Sequence, residues 1–208
     1  MGKASNQQSL SKTRLEAFSD GVFAIAITLL VLDVVVHPPG SLSEQLIHAW
    51  PSYVAYVISF LTIGAAWISH TTLTERLGHL DSVFLRLNLL VLLVVAFLPF
   101  PTHLVAESLR NVNDERIAVT VYGLTLLTIR LIGTLMVAYA KREKLFISQG
   151  EGAELKRDGS KLIPVLLGYT LAIMLGLVFP RVAVIIYFGI AIYLVLPLSE
   201  LTKSLSRY

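Results

Sequence analysis

The sequence predicts an all-α integral membrane protein, built as a bundle of six transmembrane helices. Hydrophobic residues make up 55% of its 208 residues and charged residues only 15%, and the mean hydropathy is +0.71. A soluble domain needs a more polar surface than this composition offers. The apolar residues are gathered in stretches close to the roughly 20 residues that a helix needs to cross a bilayer core of about 30 Å. Because a helix satisfies its own backbone polar groups, each stretch is predicted to be helical.

Six stretches approach this length, and we expect residues 1–208 to form a single transmembrane domain. They are Leu15–Val36, Ala49–Ser69, Val83–Phe100, Ile117–Ala140, Leu162–Phe179 and Val182–Leu198. Turn-forming residues separate them: Gly40 follows the first, Pro99 and Pro101 close the third, and Pro180 divides the last two. The sixth stretch is the shortest, so a hairpin that does not fully cross is an alternative for the last two.

The basic residues predict that both termini are cytoplasmic. With the N-terminus inside, the outer connections carry only Arg110, Arg116 and Arg181, whereas most lysines and arginines lie on the inner side. The polar segment 141–162 is then a solvated inner connection. The basic residues flank apolar stretches and form no continuous polar face, so we expect no nucleic-acid partner. A cleaved signal sequence is the alternative for the first stretch, but no small-residue cleavage site follows it before the prolines.

The sequence shows no enzymatic apparatus. It contains no cysteine, and its histidines are scattered without the HExxH pattern of a zinc site. It also lacks a P-loop, a GxSxG elbow and a dinucleotide-binding fingerprint. We therefore expect no enzyme, no cofactor and no fixed protein metal site; an active site assembled from separated helices is the alternative. The segment Thr120–Gly123, TVYG, lacks the central glycine of a TVGYG potassium filter and lies within a continuous apolar stretch, so we expect it only to pack.

The first stretch, RLEAFSDGVFAIAITLLVLD at residues 14–33, carries two stripes at helical spacing. Large apolar side chains recur at steps of three and four, which places them on one face of a helix. They are Phe18, Val22, Ile25, Leu29, Leu32 and Val36. Small side chains at Gly21, Ala24 and Thr28 form a neighbouring stripe that would let another helix approach closely. Taken alone, both stripes are typical of helices that face a protein core or lipid.

Polar side chains stand at the entrance of this apolar segment. They are Arg14, Ser19 and Asp20. In the simpler interpretation, Asp20 complements the helix dipole and Arg14 is a basic neighbour at the membrane boundary. In the other, all three belong to a buried polar network that fixes the first helix. Its partners would be His70, beside Trp67 at the end of the second helix, and Asn88 in the third.

The pattern R-x-x-x-F-S-D at Arg14–Asp20, followed by GVFAIAITLLVLD, resembles the transmembrane protein 175 family of potassium channels. Trp67-x-x-His70 is similar to a further family pattern, and the six-helix layout extends the resemblance over nearly the whole chain. Animal members carry two six-helix units per chain, whereas this sequence has one copy of the motif. The resemblance therefore implies the single-unit prokaryotic form, a homotetramer in the plasma membrane of a prokaryote.

What the resemblance implies is a pore lined by the first helix of each subunit. Ile25 then matches the narrow hydrophobic level, Leu29 and Leu32 match successive lining levels, and Thr28 matches a polar layer. A further set supports the lining helix from the side without binding ions. It comprises Arg14, Phe18, Ser19, Asp20, Trp67, His70 and Asn88.

The implied activity is a moderate preference for potassium over sodium, with ions held only transiently. A ring of apolar side chains makes each ion shed hydration water, and potassium sheds it more cheaply than sodium. The Thr28 hydroxyl either returns part of the lost coordination or bonds its own helix backbone. Ala24 stands where animal members can have serine, which bears on how strongly the pore selects.

Two other functions stay open at this point. A proton-coupled secondary transporter using Asp20, Arg14 and His70 is the main alternative to a weakly gated or leaking channel, although transporters usually show duplicated halves and broken helices. A scaffold without transport is the other. Two further charges need an explanation. Asp33 concentrates cations at the outer mouth, caps the helix or pairs with a neighbour, and Arg130 is expected to face a partner or a wet crevice.

Overall fold

The computed structural model describes residues 2–35, 40–109, 114–147 and 162–196, and these ranges are almost entirely helical. The α-helices, numbered along the chain, are α1 (Gly2–Leu29), α2 (Leu42–His48), α3 (Trp50–Glu75), α4 (Ser82–Phe97), α5 (Pro99–Ser108), α6 (Glu115–Arg142), α7 (Leu162–Gly176) and α8 (Pro180–Val195). A 3-10 turn, Leu30–Asp33, extends α1. The predicted all-helical architecture is confirmed for the described part of the chain.

Four helical segments are long and apolar enough to cross a membrane. They are Lys12–Asp33, Trp50–Glu75, Ser82–Ser108 and Glu115–Arg142. Two further apolar helices, Ile163–Gly176 and Pro180–Val195, are shorter. An integral membrane protein is therefore supported, while six crossings stay a prediction. The predicted ends at Val36 and Leu198 and the middle of the 141–162 connection lie outside the described residues.

The predicted end of the third helix is wrong. Pro99 and Pro101 do not stop the helical segment near Phe100; they begin α5, which follows α4 after Leu98 and continues to Ser108. Proline is accepted in the first turn of a helix because the N–H that it lacks would have no helical partner there. Pro99 and Pro101 therefore stand at a junction between two helices, and not at the end of a helical segment as predicted.

Two other boundaries also move outward. The first helix begins at Gly2, ahead of the predicted Leu15, because a helix can continue beyond its membrane-embedded part. The second continues past Ser69 to Glu75. Its final turns contain threonines whose hydroxyls bond the carbonyls of the preceding turn, as Thr72 does to Ile68 at 2.7 Å. This bonding keeps β-branched residues compatible with a helix.

The short helix α2 was not predicted, although its cap is readable in the sequence. Gly40 takes a φ of 120°, a conformation that favours glycine. The hydroxyl of Ser41 accepts the Glu44 N–H at 3.4 Å, and the Glu44 carboxylate accepts the Ser41 N–H at 2.8 Å. This is a capping box. The hydrogen bonds from Ser41, that of its backbone N–H first, lower the pKa of the Glu44 carboxyl.

The helices pack as a bundle with α3 at its centre. Helix α1 packs on α3 and α4 at one side, and α3 also contacts α5, α6 and α8. The α7–α8 hairpin covers the other side by packing on α6. Because α1 lies at the edge of the bundle, a large part of its circumference is open in the single chain.

A relay of buried hydroxyls ties α3, α5 and α6 together. The Ser59 oxygen lies 2.8 Å from the Thr102 hydroxyl and 2.8 Å from the Tyr122 hydroxyl. Thr102 donates its hydroxyl proton to the Leu98 carbonyl at 2.8 Å. A hydroxyl has one proton, so Ser59 must donate to Thr102, and Tyr122 must donate to Ser59. The relay therefore ends at Leu98, the residue between α4 and α5.

A cluster of tyrosine rings fills the space between α6, α7 and α8. The Tyr187 ring lies 5.7 Å from that of Tyr122 and 6.3 Å from that of Tyr169, between ring centroids. Gly123 gives Tyr187 its room, because a Cβ at that position would overlap the tyrosine hydroxyl. Arg130 of α6 is half-buried and is not without a partner, in line with the expectation that it faces one.

Candidate functional site

Four members of the large apolar stripe of α1 face outward in the single chain, whereas Val22, predicted to lie on the same stripe, is half-buried against the core. Exposed fractions are 56% for Phe18, 61% for Ile25, 42% for Leu29 and 69% for Leu32. Val36, the last member of the predicted stripe, lies outside the described residues. A stripe of this kind is free to meet lipid, water or another copy of the chain.

A second face of α1 is held in the bundle. Its buried residues are Leu15, Ser19, Phe23, Ala26 and Leu30. Because successive residues of an α-helix turn by about 100°, this set and the exposed stripe form two separate faces. Both faces belong to one helix, and the angle between them is constant. Contacts that fix the buried face therefore also fix the direction in which the apolar stripe points.

The small-residue stripe lies beside the apolar stripe and is also exposed. Nothing comes within 4 Å of a Cβ placed on Gly21, and Ala24 and Thr28 are exposed. The Thr28 hydroxyl donates to the carbonyls of Ala24 and Ile25 at 3.1 and 2.9 Å. The Thr28 proton therefore bonds its own helix backbone, which was one of the two expectations for this residue. The hydroxyl oxygen can still accept a hydrogen bond.

Three buried polar side chains join α1, α3 and α4. The Asn88 amide donates to the Ser19 hydroxyl at 3.1 Å, and the Asn88 carbonyl oxygen lies 2.6 Å from Nε2 of His70. An amide oxygen can only accept, so Nε2 of His70 carries the proton in this contact. The His70 ring also packs on Phe23, with ring centroids 5.5 Å apart. All three polar residues are buried, and we refer to Ser19, His70 and Asn88 as the buried triad.

Asp20 and Arg14 lie outside the buried triad, which corrects the expectation of one buried network. The Trp67 indole donates to the Asp20 carboxylate at 2.8 Å, and this pair is exposed. Asp20 follows Ser19 directly, so its side chain turns away by about 100°. Arg14 is exposed, and within the described part of the chain no hydrogen bond or ion pair joins its guanidinium to another residue.

The 3-10 turn at the end of the first helix lies close to α5. Nδ1 of His103 lies 3.2 Å from the Asp33 carboxylate. Of the expectations for Asp33, this distance supports pairing with a neighbour. The sequence did not indicate this partner, because His103 stands on α5, beyond the predicted end of the third helix.

One contact of α1 was not anticipated. The Lys12 ammonium donates to the backbone carbonyls of Glu75 and Leu77, at the end of α3. The sequence offered only a weak signal for this contact, namely that Lys12 stands two residues before Arg14 on a helix that begins further upstream. In the described ranges, no three histidine or acidic side chains are grouped as metal ligands.

Comparisons with known proteins all match this chain to channel proteins. The family model described as "Endosomal/lysosomal potassium channel TMEM175" matches residues 14–99. A potassium channel of Streptomyces collinus is 49% identical over 121 residues, which cover 57% of this chain and 59% of that relative. The match thus spans about three-fifths of that relative's length.

Two further relatives match over most of the chain. A potassium channel of a Chryseobacterium species is 31% identical over 204 residues, covering 95% of this chain and 100% of the relative. The crystal structure of a lysosomal potassium-selective channel TMEM175 homolog from Chamaesiphon minutus has a TM-score of 0.79 at 33% identity. That match covers 88% of this chain and 96% of the solved one.

Proposed function

This chain belongs to the TMEM175 family, and from that membership we propose that it is a cation channel that conducts potassium in preference to sodium. Four copies form the channel, and their α1 helices surround its axis. The observation that carries the proposal is the division of α1 into two faces, an outward stripe containing Ile25, Leu29 and Leu32 and a buried face held by polar contacts. The proposal includes six crossings, cytoplasmic termini and the plasma membrane of a prokaryote.

The selective element in this proposal is a ring of four Ile25 side chains. A narrow apolar ring forces an ion to give up hydration water, and this costs potassium less than sodium. The selectivity is therefore moderate. One turn further along, Thr28 oxygens supply acceptors, since the hydroxyl protons bond the helix backbone.

The buried triad and the Asp20–Trp67 pair support the lining helix. They contact α1 on consecutive residues, Ser19 and Asp20, but from two directions, so together they resist rotation of the helix about its axis. Neither set faces the apolar stripe. We assign them a supporting role, with no direct contact to ions.

A flux assay on reconstituted protein tests the proposal. Vesicles containing the purified chain are expected to show electrogenic potassium flux that needs no second substrate. Ile25→Asn is expected to raise the sodium-to-potassium permeability ratio by about threefold or more, because a polar ring no longer forces dehydration. Ile185→Asn is the matched control, since Ile185 is also exposed, at 69%, but stands on α8 and not on the proposed lining helix. Flux strictly coupled to a proton gradient would favour the transporter instead.

Cysteine accessibility tests which surface meets water. The chain has no native cysteine, so single substitutions give no background. Leu32 on the α1 stripe and Leu167 on α7 are similarly exposed in the single chain, at 69% and 64%. We expect a charged thiol reagent to modify Leu32→Cys and reduce flux, and to leave Leu167→Cys unmodified because lipid covers it. Equal protection of both positions would contradict a pore lined by α1, and a native mass other than four chains would contradict the tetramer.

A further inference from the structure

Lys12 joins α1 to the end of α3 through two hydrogen bonds. Its ammonium donates to the Glu75 carbonyl at 2.8 Å and to the Leu77 carbonyl at 3.1 Å. Carbonyls at the end of a helix have lost their N–H partners within the helix, and the helix dipole adds negative potential there. The Glu75 carbonyl is such a group, and the Leu77 carbonyl lies two residues beyond the end of α3; the Lys12 ammonium bonds both.

The backbone at the end of α3 also binds a second neighbour. The Arg76 carbonyl, between the two that Lys12 contacts, accepts the Ile147 N–H at 3.1 Å. The Gly78 N–H donates to the Leu145 carbonyl at 2.8 Å, within a short antiparallel pairing of Leu77 and Phe146. Residues 75–78, which we call the 75–78 junction, thus lie between α1 and the segment that follows α6.

The position of Lys12 on α1 matches that of the buried triad. Lys12 and Ser19 are seven residues apart, which places them on the same side of the helix two turns from each other. Contacts at two heights on one side resist both rotation and tilt of the helix. Ile25 lies about 20 Å further along, at about 1.5 Å per residue. A small movement at Lys12 is therefore transmitted along a rigid helix to the level of Ile25.

We propose that Lys12 is a positioning residue for the lining helix: by binding the 75–78 junction it fixes the orientation of α1 and hence the direction in which Ile25 points. The inference rests on the proposed channel function. It adds a contact outside the R-x-x-x-F-S-D pattern, and it connects the lining helix to the segment that enters the 148–161 connection.

The test uses the full chain in vesicles, with Lys12→Met, Lys12→Arg and Lys144→Met. Lys144→Met is the matched control, because it removes an exposed lysine from the segment after α6 and leaves both Lys12 hydrogen bonds in place. Hydrogen–deuterium exchange at residues 13–18 reports the anchoring of α1, and the sodium-to-potassium permeability ratio reports the pore. For Lys12→Met we expect exchange to accelerate about tenfold, by local opening, and the permeability ratio to rise about twofold.

Lys12→Arg is expected to restore both values, and Lys144→Met to leave both unchanged. Unchanged exchange in Lys12→Met would overturn the inference, as would faster exchange with an unchanged permeability ratio, since Lys12 would then act only in stability. If Lys12→Met yields no folded protein, Lys12→Gln is measured in the same way. If the unmodified chain conducts no ions, the proposed function fails, and with it the positioning role; the exchange data then report only whether the anchor exists.

Discussion

Gly123→Ala is expected to destabilise the protein by about 3 kcal/mol or more, at the upper end of what overpacking a core costs. An added Cβ would overlap the Tyr187 hydroxyl oxygen and would lie only 2.7 Å from Cζ of the same ring and 2.8 Å from Cγ1 of Ile173. The Tyr187 ring is fully buried and packed between two other tyrosines, so it has no space into which to move. Thermal unfolding of the purified protein in detergent measures the effect as a lower melting temperature.

A second glycine of the same helix provides the control. No atom lies within 4 Å of a Cβ placed on Gly133, so Gly133→Ala is expected to stabilise α6 by about 0.5–1 kcal/mol through helix propensity. The double variant Gly123→Ala/Tyr187→Phe should recover part of the loss, because it removes the overlapping oxygen and leaves the ring. Equal melting temperatures for the two glycine variants would show that the ring moves freely.

Asn88→Ala is expected to cost about 2–4 kcal/mol, since it leaves two buried polar partners without hydrogen bonds. Asn88 is the centre of the buried triad: its amide binds Ser19 of α1 and its carbonyl oxygen binds His70 of α3. Both partners are left buried with few alternatives, so the expected loss exceeds the roughly 0.6 kcal/mol that an average transmembrane hydrogen bond contributes. Unfolding in detergent and the yield of assembled protein are the measurements.

The same triad predicts a specific pattern among double variants. Once Asn88 is alanine, His70→Ala removes a group that has already lost its partner. The double variant should therefore lose less stability than the sum of the two single variants, by about 0.5–3 kcal/mol. Thr72→Val is the control, because the Thr72 hydroxyl bonds only its own helix at Ile68. Strict additivity would mean that Asn88 and His70 join α3 and α4 without an energetically coupled hydrogen bond.

Much of the fold was predictable because a membrane-spanning helix requires a long apolar stretch, which is visible in the sequence. The apolar stretches located the four long segments, and the 3–4 spacing of Phe18, Ile25, Leu29 and Leu32 placed them correctly on one face. Pro99 misled because proline is compatible both with the end of a helix and with the start of the next. Only the contacts of α5 with its neighbours decide between the two, and these lie outside the local sequence.

The polar contacts of α1 were predictable only in part. Matching depths along the helices indicated that Ser19, His70 and Asn88 could meet, and the structure places them together. Ser19 and Asp20 could not both enter one cluster, however, because adjacent residues of a helix point about 100° apart. Helical geometry alone would have shown this. The Lys12 contact depends on where α3 ends relative to α1, which no spacing within one segment encodes.

The hydroxyl relay of Tyr122, Ser59 and Thr102 has a consequence for charge movement inside each protomer. A proton wire needs hydroxyls that can reverse their donors and a terminal group that can release the proton it receives. Here the donor order runs one way and terminates on a backbone carbonyl, which has no proton to pass on. The relay therefore holds the α4–α5 junction in place, and in this donor order it ends on a carbonyl that cannot pass a proton on.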